Sequence, residues 1–266
     1  MLLIYLLTGC FAGFIAGLLG VGGGLIIVPA LAWVFVAEGF PSQIVMHMAI
    51  GTSLATIVIT SLSSTFAHHR RGSVRWPEMR RLTLGILAGA WLGSLMADRM
   101  SGTMLAGFFG FFECFVAIQM YFSLGVSSHS QSPTRLASLI GGLVIGTVSA
   151  VLGIGGGTLT VPFLIWHQVS MREAVATSAA CGLPIALMGA LGFVYTGLDT
   201  PVLPAGSTGY LYWPAFVAIV TTSVLMAPFG ARLAHRLPQQ ILRKVFAVFL
   251  ACLGVVMLVR LSFTVG

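Results

Sequence analysis

Residues 20–29 read Gly20-Val-Gly22-Gly23-Gly24-Leu-Ile-Ile-Val28-Pro29, and 133 positions later the chain writes Gly153-Ile-Gly155-Gly156-Gly157-Thr-Leu-Thr-Val161-Pro162. Glycine clusters of this kind let the backbone leave the helical path, because no Cβ restricts the dihedrals. Each cluster sits between an apolar run and a short apolar segment holding a proline. The flanks repeat too: Gly9–Trp33 and Gly142–Trp166 are identical at eleven of 25 positions, the paired Trp33 and Trp166 included. At a shift of 125, Ala49-Ile-Gly-Thr52-Ser53 matches Ala174-Val-Ala-Thr177-Ser178. At a shift of 137, Gly93, Ala97, Arg99, Phe109, Phe112 and Met120 match Gly230, Ala234, Arg236, Phe246, Phe249 and Met257. A glycine-rich composition raises the rate of chance glycine matches. It does not produce paired Pro, Trp and Thr-Ser, so the chain reads as one five-segment unit written twice.

The composition says where such a unit lives. Of 266 residues only 7% are charged and 58% are apolar, against about 25% charged in an ordinary soluble domain. So few charges cannot cover a water-exposed surface. Disorder, nucleic-acid binding and a water-soluble enzyme are excluded, and an all-α polytopic membrane protein remains. The four cysteines (Cys10, Cys114, Cys181 and Cys252) lie in apolar runs without metal or disulfide spacing, so no metal site is expected. No cofactor is expected either. The first apolar run lacks a basic leader and reads as a retained span.

Ten apolar helical segments are predicted, at about 2–19, 24–37, 43–67, 82–98, 103–125, 136–152, 157–169, 172–196, 210–235 and 240–261. The second and seventh are too short for a plain span of about 20 residues and read as broken or tilted helices. Residues 1–125 form the first transmembrane repeat, 126–135 a cytoplasmic linker and 136–266 the second repeat, within one integrated membrane domain.

Charge orients the two halves. The loop after the third segment holds Arg70, Arg71, Arg75, Arg80 and Arg81. Its counterpart, residues 197–209, holds no Lys or Arg. The positive-inside rule puts the Arg70–Arg81 loop in the cytoplasm and the other outside. Equivalent loops on opposite faces mean an inverted repeat with both termini outside. That topology places 11 of the 13 basic residues inside, leaving Arg99 and Arg260. A parallel duplication would put both loops on one side, against this count.

Inverted repeats with interrupted helices recur in secondary transporters, whose sites lie near the midplane. Each glycine cluster opens a short helix, and a helix N-terminus offers N–H donors and partial positive charge to an anion. Gly22, Gly23 and Gly24, with Gly155, Gly156 and Gly157, are therefore candidate substrate ligands. The other reading is that they only permit tight turns. Thr52, Ser53, Thr177 and Ser178 are candidate hydroxyl donors, or they bond back to their own helices. Pro29 and Pro162 would stiffen the breaks. Glu113, the one acid well inside a span, either carries protons or ties two helices together. His47 and Arg172 stand at equivalent positions, and Arg172 could draw anions into a vestibule or snorkel to headgroups. The arginine loop fits lipid phosphates. The glycine ladders Gly9, Gly13, Gly17 and Gly85, Gly89, Gly93 serve close helix contacts within or between chains, so oligomeric state is open.

The pattern from Gly-Leu-Leu-Gly20 to Pro29, followed by Ala49-Ile-Gly-Thr52-Ser53-Leu, resembles the sulfite exporter TauE/SafE family of membrane permeases. So do its second copy through Pro162 with Ala176-Thr177-Ser178, and the closing stretch from Pro228 to Leu237. The resemblance implies a multi-pass protein of the cell (inner) membrane that exports or exchanges small anions, sulfite and organosulfonates being the usual ones; an exporter of a small sulfur-containing oxyanion is the reading taken, with a proton, through Glu113, as the candidate coupling ion. One departure is Ala179 where the first copy has Leu54. Alternatives are an anion channel, a permease for another anion, and an accessory membrane subunit. An intramembrane enzyme is disfavoured, since no nucleophile–base pair or metal constellation appears.

Overall fold

The computed structural model describes residues 1–19, 23–122, 134–234 and 239–265. Gly20 and Gly22, most of the 126–135 linker and Arg236 lie outside the described residues. The helices are α1 (Leu2–Leu19), α2 (Gly24–Ala37), α3 (Ser42–His69), α4 (Trp76–Asp98), α5 (Gly102–Tyr121), α6 (Arg135–Leu152), α7 (Gly157–Trp166), α8 (Met171–Gly197), α9 (Trp213–Ala234) and α10 (Gln239–Val265). Two short strands, β1 (Ser207–Thr208) and β2 (Leu211–Tyr212), pair antiparallel before α9. The protein is thus an all-α polytopic chain, and α3, α5, α6, α8 and Trp213–Gly230 of α9 are each long and apolar enough to cross a bilayer.

Local chemistry sets the helix starts. Ser101, Thr134 and Ser170 cap α5, α6 and α8, their side chains accepting the N–H groups of Met104, Ala137 and Glu173. α4 begins at Trp76, six residues before the expected 82, so Arg80 and Arg81 ride on a helix rather than in a loop. Pro77 explains this: its fixed φ and missing N–H suit a first turn, and Glu78 there complements the helix dipole.

α2 and α7 both double back. The Tyr5 hydroxyl near the start of α1 donates to Glu38 beyond the end of α2 at 2.8 Å. Phe163 of α7 lies against Gly141 of α6, and a groove between them is lined from Ala137 to Ile145 on one helix and from Leu159 to His167 on the other. With ten residues, α7 rises only ~15 Å, half of a hydrocarbon core of about 30 Å. α1–α2 and α6–α7 are therefore antiparallel hairpins, and α7 alone is too short to cross.

The hairpins are rooted at opposite ends. The Glu38 end also holds the start of α3, where the His47 ring meets the Ala97 carbonyl at the end of α4. The other end holds Arg75, whose backbone N–H reaches Thr177 near the start of α8. α3 and α8 cross at the centre, and α1 packs along α9 as α6 packs along α4. Small residues make these last seams possible: a Cβ on Gly93 would sit 2.5 Å from the Thr147 carbonyl oxygen, and one on Gly142 2.5 Å from that of Leu82. Gly9 and Gly13 lie equally close to Ile219 and Ser223 of α9. These glycine contacts are made within the chain. Outward faces carry large apolar side chains such as Phe11, Phe111, Phe115 and Leu225, as a lipid-facing surface requires.

Candidate functional site

The N-cap glycines of α2 and α7 have the same backbone form. Gly23 has φ 76° and ψ −13°, and Gly156 has φ 76° and ψ −7°. This is the left-handed region, open to glycine without a Cβ clash. The Gly23 carbonyl accepts from Ile26 (3.0 Å) and Ile27 (3.1 Å), and the Gly156 carbonyl from Leu159 (3.1 Å) and Thr160 (2.7 Å). Among the described residues no side chain caps either helix, as is also the case for α3 and α4, whereas Ser and Thr cap α5, α6 and α8. The earliest N–H groups of a helix have no acceptor within it. Two positive helix ends thus lie uncapped in the protein interior. The tips also touch: Gly24 lies against the Gly153 carbonyl oxygen, and a Cβ there would be 2.8 Å from Ile154 Cα.

The Thr-Ser pairs tie this junction to both ends. Ser53 Oγ donates to the Gly153 carbonyl at 2.9 Å, so the first half holds the second half's tip. Ser178 Oγ, its counterpart, is buried without a partner among the described residues. Thr52 Oγ1 accepts the Tyr212 N–H at 3.0 Å, and Thr177 Oγ1 accepts the Arg75 N–H at 3.0 Å. Tyr212 and Arg75 directly precede α9 and α4, so each threonine anchors the start of a helix in the other half. Arg75 extends its anchor: its guanidinium meets Glu173 at 3.0 Å and Glu78 at 3.5 Å, and Ser170 donates to Glu173 at 2.7 Å. Sequence reasoning missed Arg75 and Tyr212 as partners. The signal was there, because Trp76-Pro77 recurs as Trp213-Pro214 at the same 137 spacing.

Two more hydroxyls stand at the second tip. A Cβ on Gly156 would lie 3.3 Å from Thr160 Oγ1 and 3.6 Å from Ser149 Oγ. Both residues are fully buried, and neither hydroxyl has a partner among the described residues. At Gly23 the corresponding neighbours are Ala16 Cβ at 3.5 Å and Ile27 Cδ1 at 3.6 Å. Beside the tips lies a cavity of about 10 Å³, lined by Ala16, Thr60, Ser61, Ser64, Gly155 and Ala179 among others. That is room for about one water. The equivalent space on the Glu38 side is filled: Leu54, counterpart of Ala179, packs on Gly189 at a Cβ distance of 2.9 Å, and Ile185, counterpart of Thr60, covers Gly156.

The remaining candidates fall elsewhere. Pro29 and Pro162 lie inside α2 and α7, past the breaks rather than at them. Gly157 is buried at the first position of α7. Glu113 is buried at the seam of α5 and α10, its Cβ 3.1 Å from a Cβ placed on Gly254, and neither carboxyl oxygen has a partner among the described residues. His47 faces the Gln43 and Ala97 carbonyls and stacks on Tyr210 at the Glu38 end. Arg172 is exposed at the start of α8. The structure therefore brings Gly23, Gly24, Ser53, Gly155 and Gly156 into one neighbourhood and leaves Glu113, His47 and Arg172 outside it.

Paired helices whose tips meet inside a chain with five long apolar helices mark a polytopic helical membrane protein. The chain belongs to the sulfite exporter TauE/SafE family, whose sequence profile matches residues 5–257. It is 36% identical over 260 residues to a "probable membrane transporter protein" of Haemophilus influenzae, covering 97% of this chain and 98% of that one. A "probable membrane transporter protein" of Methanocaldococcus jannaschii is 28% identical, covering 96% and 94%. A third, YdhB of Bacillus subtilis, is 22% identical, covering 96% and 100%. No solved structure matches the chain. These relatives and the membrane-spanning fold make it a multi-pass membrane protein of a transporter family.

Proposed function

We propose that the protein exports a small sulfur-containing oxyanion, sulfite or an organosulfonate, across the inner membrane by alternating access at the junction of its two hairpin tips. The observation that carries this reading is the buried start of α2, without a side-chain cap, lying against the second tip at Gly153, whose own following helix α7 also starts without a side-chain cap. Buried N–H groups without acceptors are costly, and an anion satisfies them while gaining from both helix dipoles. The backbone of Gly22–Gly24 and Gly155–Gly157 would provide these donors, with hydroxyl support from Ser178. Thr52, Ser53 and Thr177 hold the frame, since their oxygens already bond the opposite half.

The halves are read as inverted repeats. Supporting this, the hairpins root at opposite ends, and the Thr52–Tyr212 bond has its counterpart in Thr177–Arg75. The arginine-rich end is assigned to the cytoplasm by the positive-inside rule. Alternating access is favoured over an open channel because Leu54 and Ile185 fill the path on one side while small residues leave a cavity on the other. Glu113 is the candidate proton carrier, acting at the α5–α10 seam, and Arg172 the candidate for drawing anions to the cytoplasmic mouth.

The test is uptake of labelled sulfite into liposomes holding only the purified protein. Unlabelled sulfite, sulfate, thiosulfate and methanesulfonate serve as competitors. Saturable uptake above empty liposomes is expected. No uptake under any imposed gradient would remove the sulfite assignment.

A further inference from the structure

The sequence repeat makes the surroundings of Gly23 and Gly156 comparable, and the comparison exposes a difference. At a spacing of 133 residues, Ser149 and Thr160 replace Ala16 and Ile27. All four side chains approach the same point of their tip, the place of the missing glycine Cβ, at 3.3–3.6 Å. The first tip therefore meets the Ala12 carbonyl oxygen, at 3.2 Å, and two hydrocarbon side chains, with no hydrogen-bond donor among these neighbours, whereas the second adds two hydroxyls. Both hydroxyls are fully buried, lack a partner among the described residues and lie beside the uncapped start of α7. A serine or threonine in a membrane helix usually bonds back to its own backbone. These two do not, and an unsatisfied buried hydroxyl costs about 1–3 kcal/mol. Ile185 Cδ1 presses on the same point of Gly156. On the first side its counterpart is Thr60, which lines the cavity.

We infer that Ser149 and Thr160 are the residues that select an oxyanion, an inference that rests on the anion reading above. The oxygens bind at the start of α7 between these hydroxyls, and the Ala16–Ile27 side meets a face of the anion that carries no oxygen. The substrate class is an anion with oxygens on one side only. Sulfite, with its lone pair, and a small alkanesulfonate both fit; sulfate, with oxygen in every direction, leaves one oxygen against hydrocarbon and the Ala12 carbonyl, neither of which donates a hydrogen bond. Ile185 covers the hydroxyls in the empty protein and withdraws when the anion enters.

The experiment compares wild-type protein with Ser149→Ala, Thr160→Val and the conservative Thr160→Ser. Two readouts are taken: labelled-sulfite uptake in liposomes, and the unfolding temperature by intrinsic tryptophan fluorescence with and without sulfite, methanesulfonate or sulfate. Removing a hydroxyl that bonds nothing in the empty protein leaves its Tm equal or higher. The same change raises KM for sulfite by about ten- to a hundredfold, the scale of one hydrogen bond to a charged group, with a smaller change in kcat. Thr160→Ser keeps the wild-type KM. In wild type, sulfite and methanesulfonate raise Tm more than sulfate does, and Ser149→Ala reduces that gain. An unchanged KM in both variants beside an active wild type would overturn the inference and leave the transport reading intact. So would a lower Tm in the empty variants, which would make the hydroxyls structural. A wild-type protein with neither uptake nor an anion-dependent Tm would remove the anion reading and this inference together.

Discussion

Gly24→Ala adds one methyl group at the point where the two hairpins touch. That methyl would meet the Gly153 carbonyl oxygen and lie 2.8 Å from Ile154 Cα and 3.1 Å from Ile57 Cδ1. Carbon atoms pack at about 3.5–4.0 Å, so the tips must separate by roughly 1 Å. Backbone, which yields less readily than a side chain, lines two of the three contacts. Overpacking of this kind costs about 1–3 kcal/mol, a small loss beside the many contacts of α1 with α9 and α6 with α4. The variant should therefore reach the membrane folded, elute as wild type in detergent, and lose some 5–10 °C or less in Tm, scaled from about 2–4 °C per kcal/mol for a chain of this size. Its uptake should fall at least tenfold, because the start of α2 no longer seats against the second tip at Gly153. Gly23→Ala is the companion: its Cβ clears the nearest atom by 3.2 Å, but its φ of 76° costs about 1–2 kcal/mol for an L residue. Gly24→Ala with wild-type uptake and wild-type Tm would refute the tip junction as a functional element.

Other expectations follow from particular contacts. Thr52→Val and Thr177→Val each leave a backbone N–H without its acceptor, so each should lower stability by about 1–3 kcal/mol, whereas serine at either position should restore most of it; thermal unfolding measures this. Gly89→Leu drives a side chain into the Leu143 backbone of α6, and should reduce the yield of folded protein far more than Gly39→Leu, whose Cβ would meet nothing within 4 Å but whose φ is positive; detergent chromatography compares them. Glu113→Leu copies its counterpart Leu250 and removes two unpartnered buried oxygens, so Tm should hold or rise, and uptake should lose its response to an imposed pH gradient. The Arg75–Glu173 pair is partly exposed, at 44% and 31%, so Glu173→Gln should cost no more than about 1 kcal/mol, read from Tm at low and high salt.

Much of this was legible in the sequence for a simple reason. A membrane helix must be a continuous apolar run, and a break in it must be made of glycine, so Gly20–Gly24 and Gly153–Gly157 stood out. Duplication doubled the signal and paired Thr52 with Thr177. The start of α4 was misjudged because arginines at 80 and 81 lower hydropathy, and hydropathy does not register that Trp76-Pro77 favours a first turn. That each short helix pairs antiparallel with the one before it was not legible from length; it needed the contact of Phe163 with Gly141 and of Tyr5 with Glu38. The threonines stood between ligand donors and bonds back to their own helices, and their contacts with Tyr212 and Arg75 were not foreseen, because spacing shows which residues share a face and not what their oxygens bond. Ser149 and Thr160 escaped notice because their meaning lies in a mismatch between the copies, while the comparison sought identities.

The central claim is a site at the tip junction, reached from one side at a time. Its most direct measurement uses Ala179→Cys, at the wall of the cavity beside Gly155, in a chain whose four native cysteines are replaced. A membrane-impermeant thiol reagent is applied from either side of oriented vesicles, with methanesulfonate as a protectant that does not consume the reagent. The account predicts labelling from the arginine-rich side, slowed by methanesulfonate, and little from the other side without a transported anion. Labelling equal from both sides, or indifferent to the anion, would contradict it.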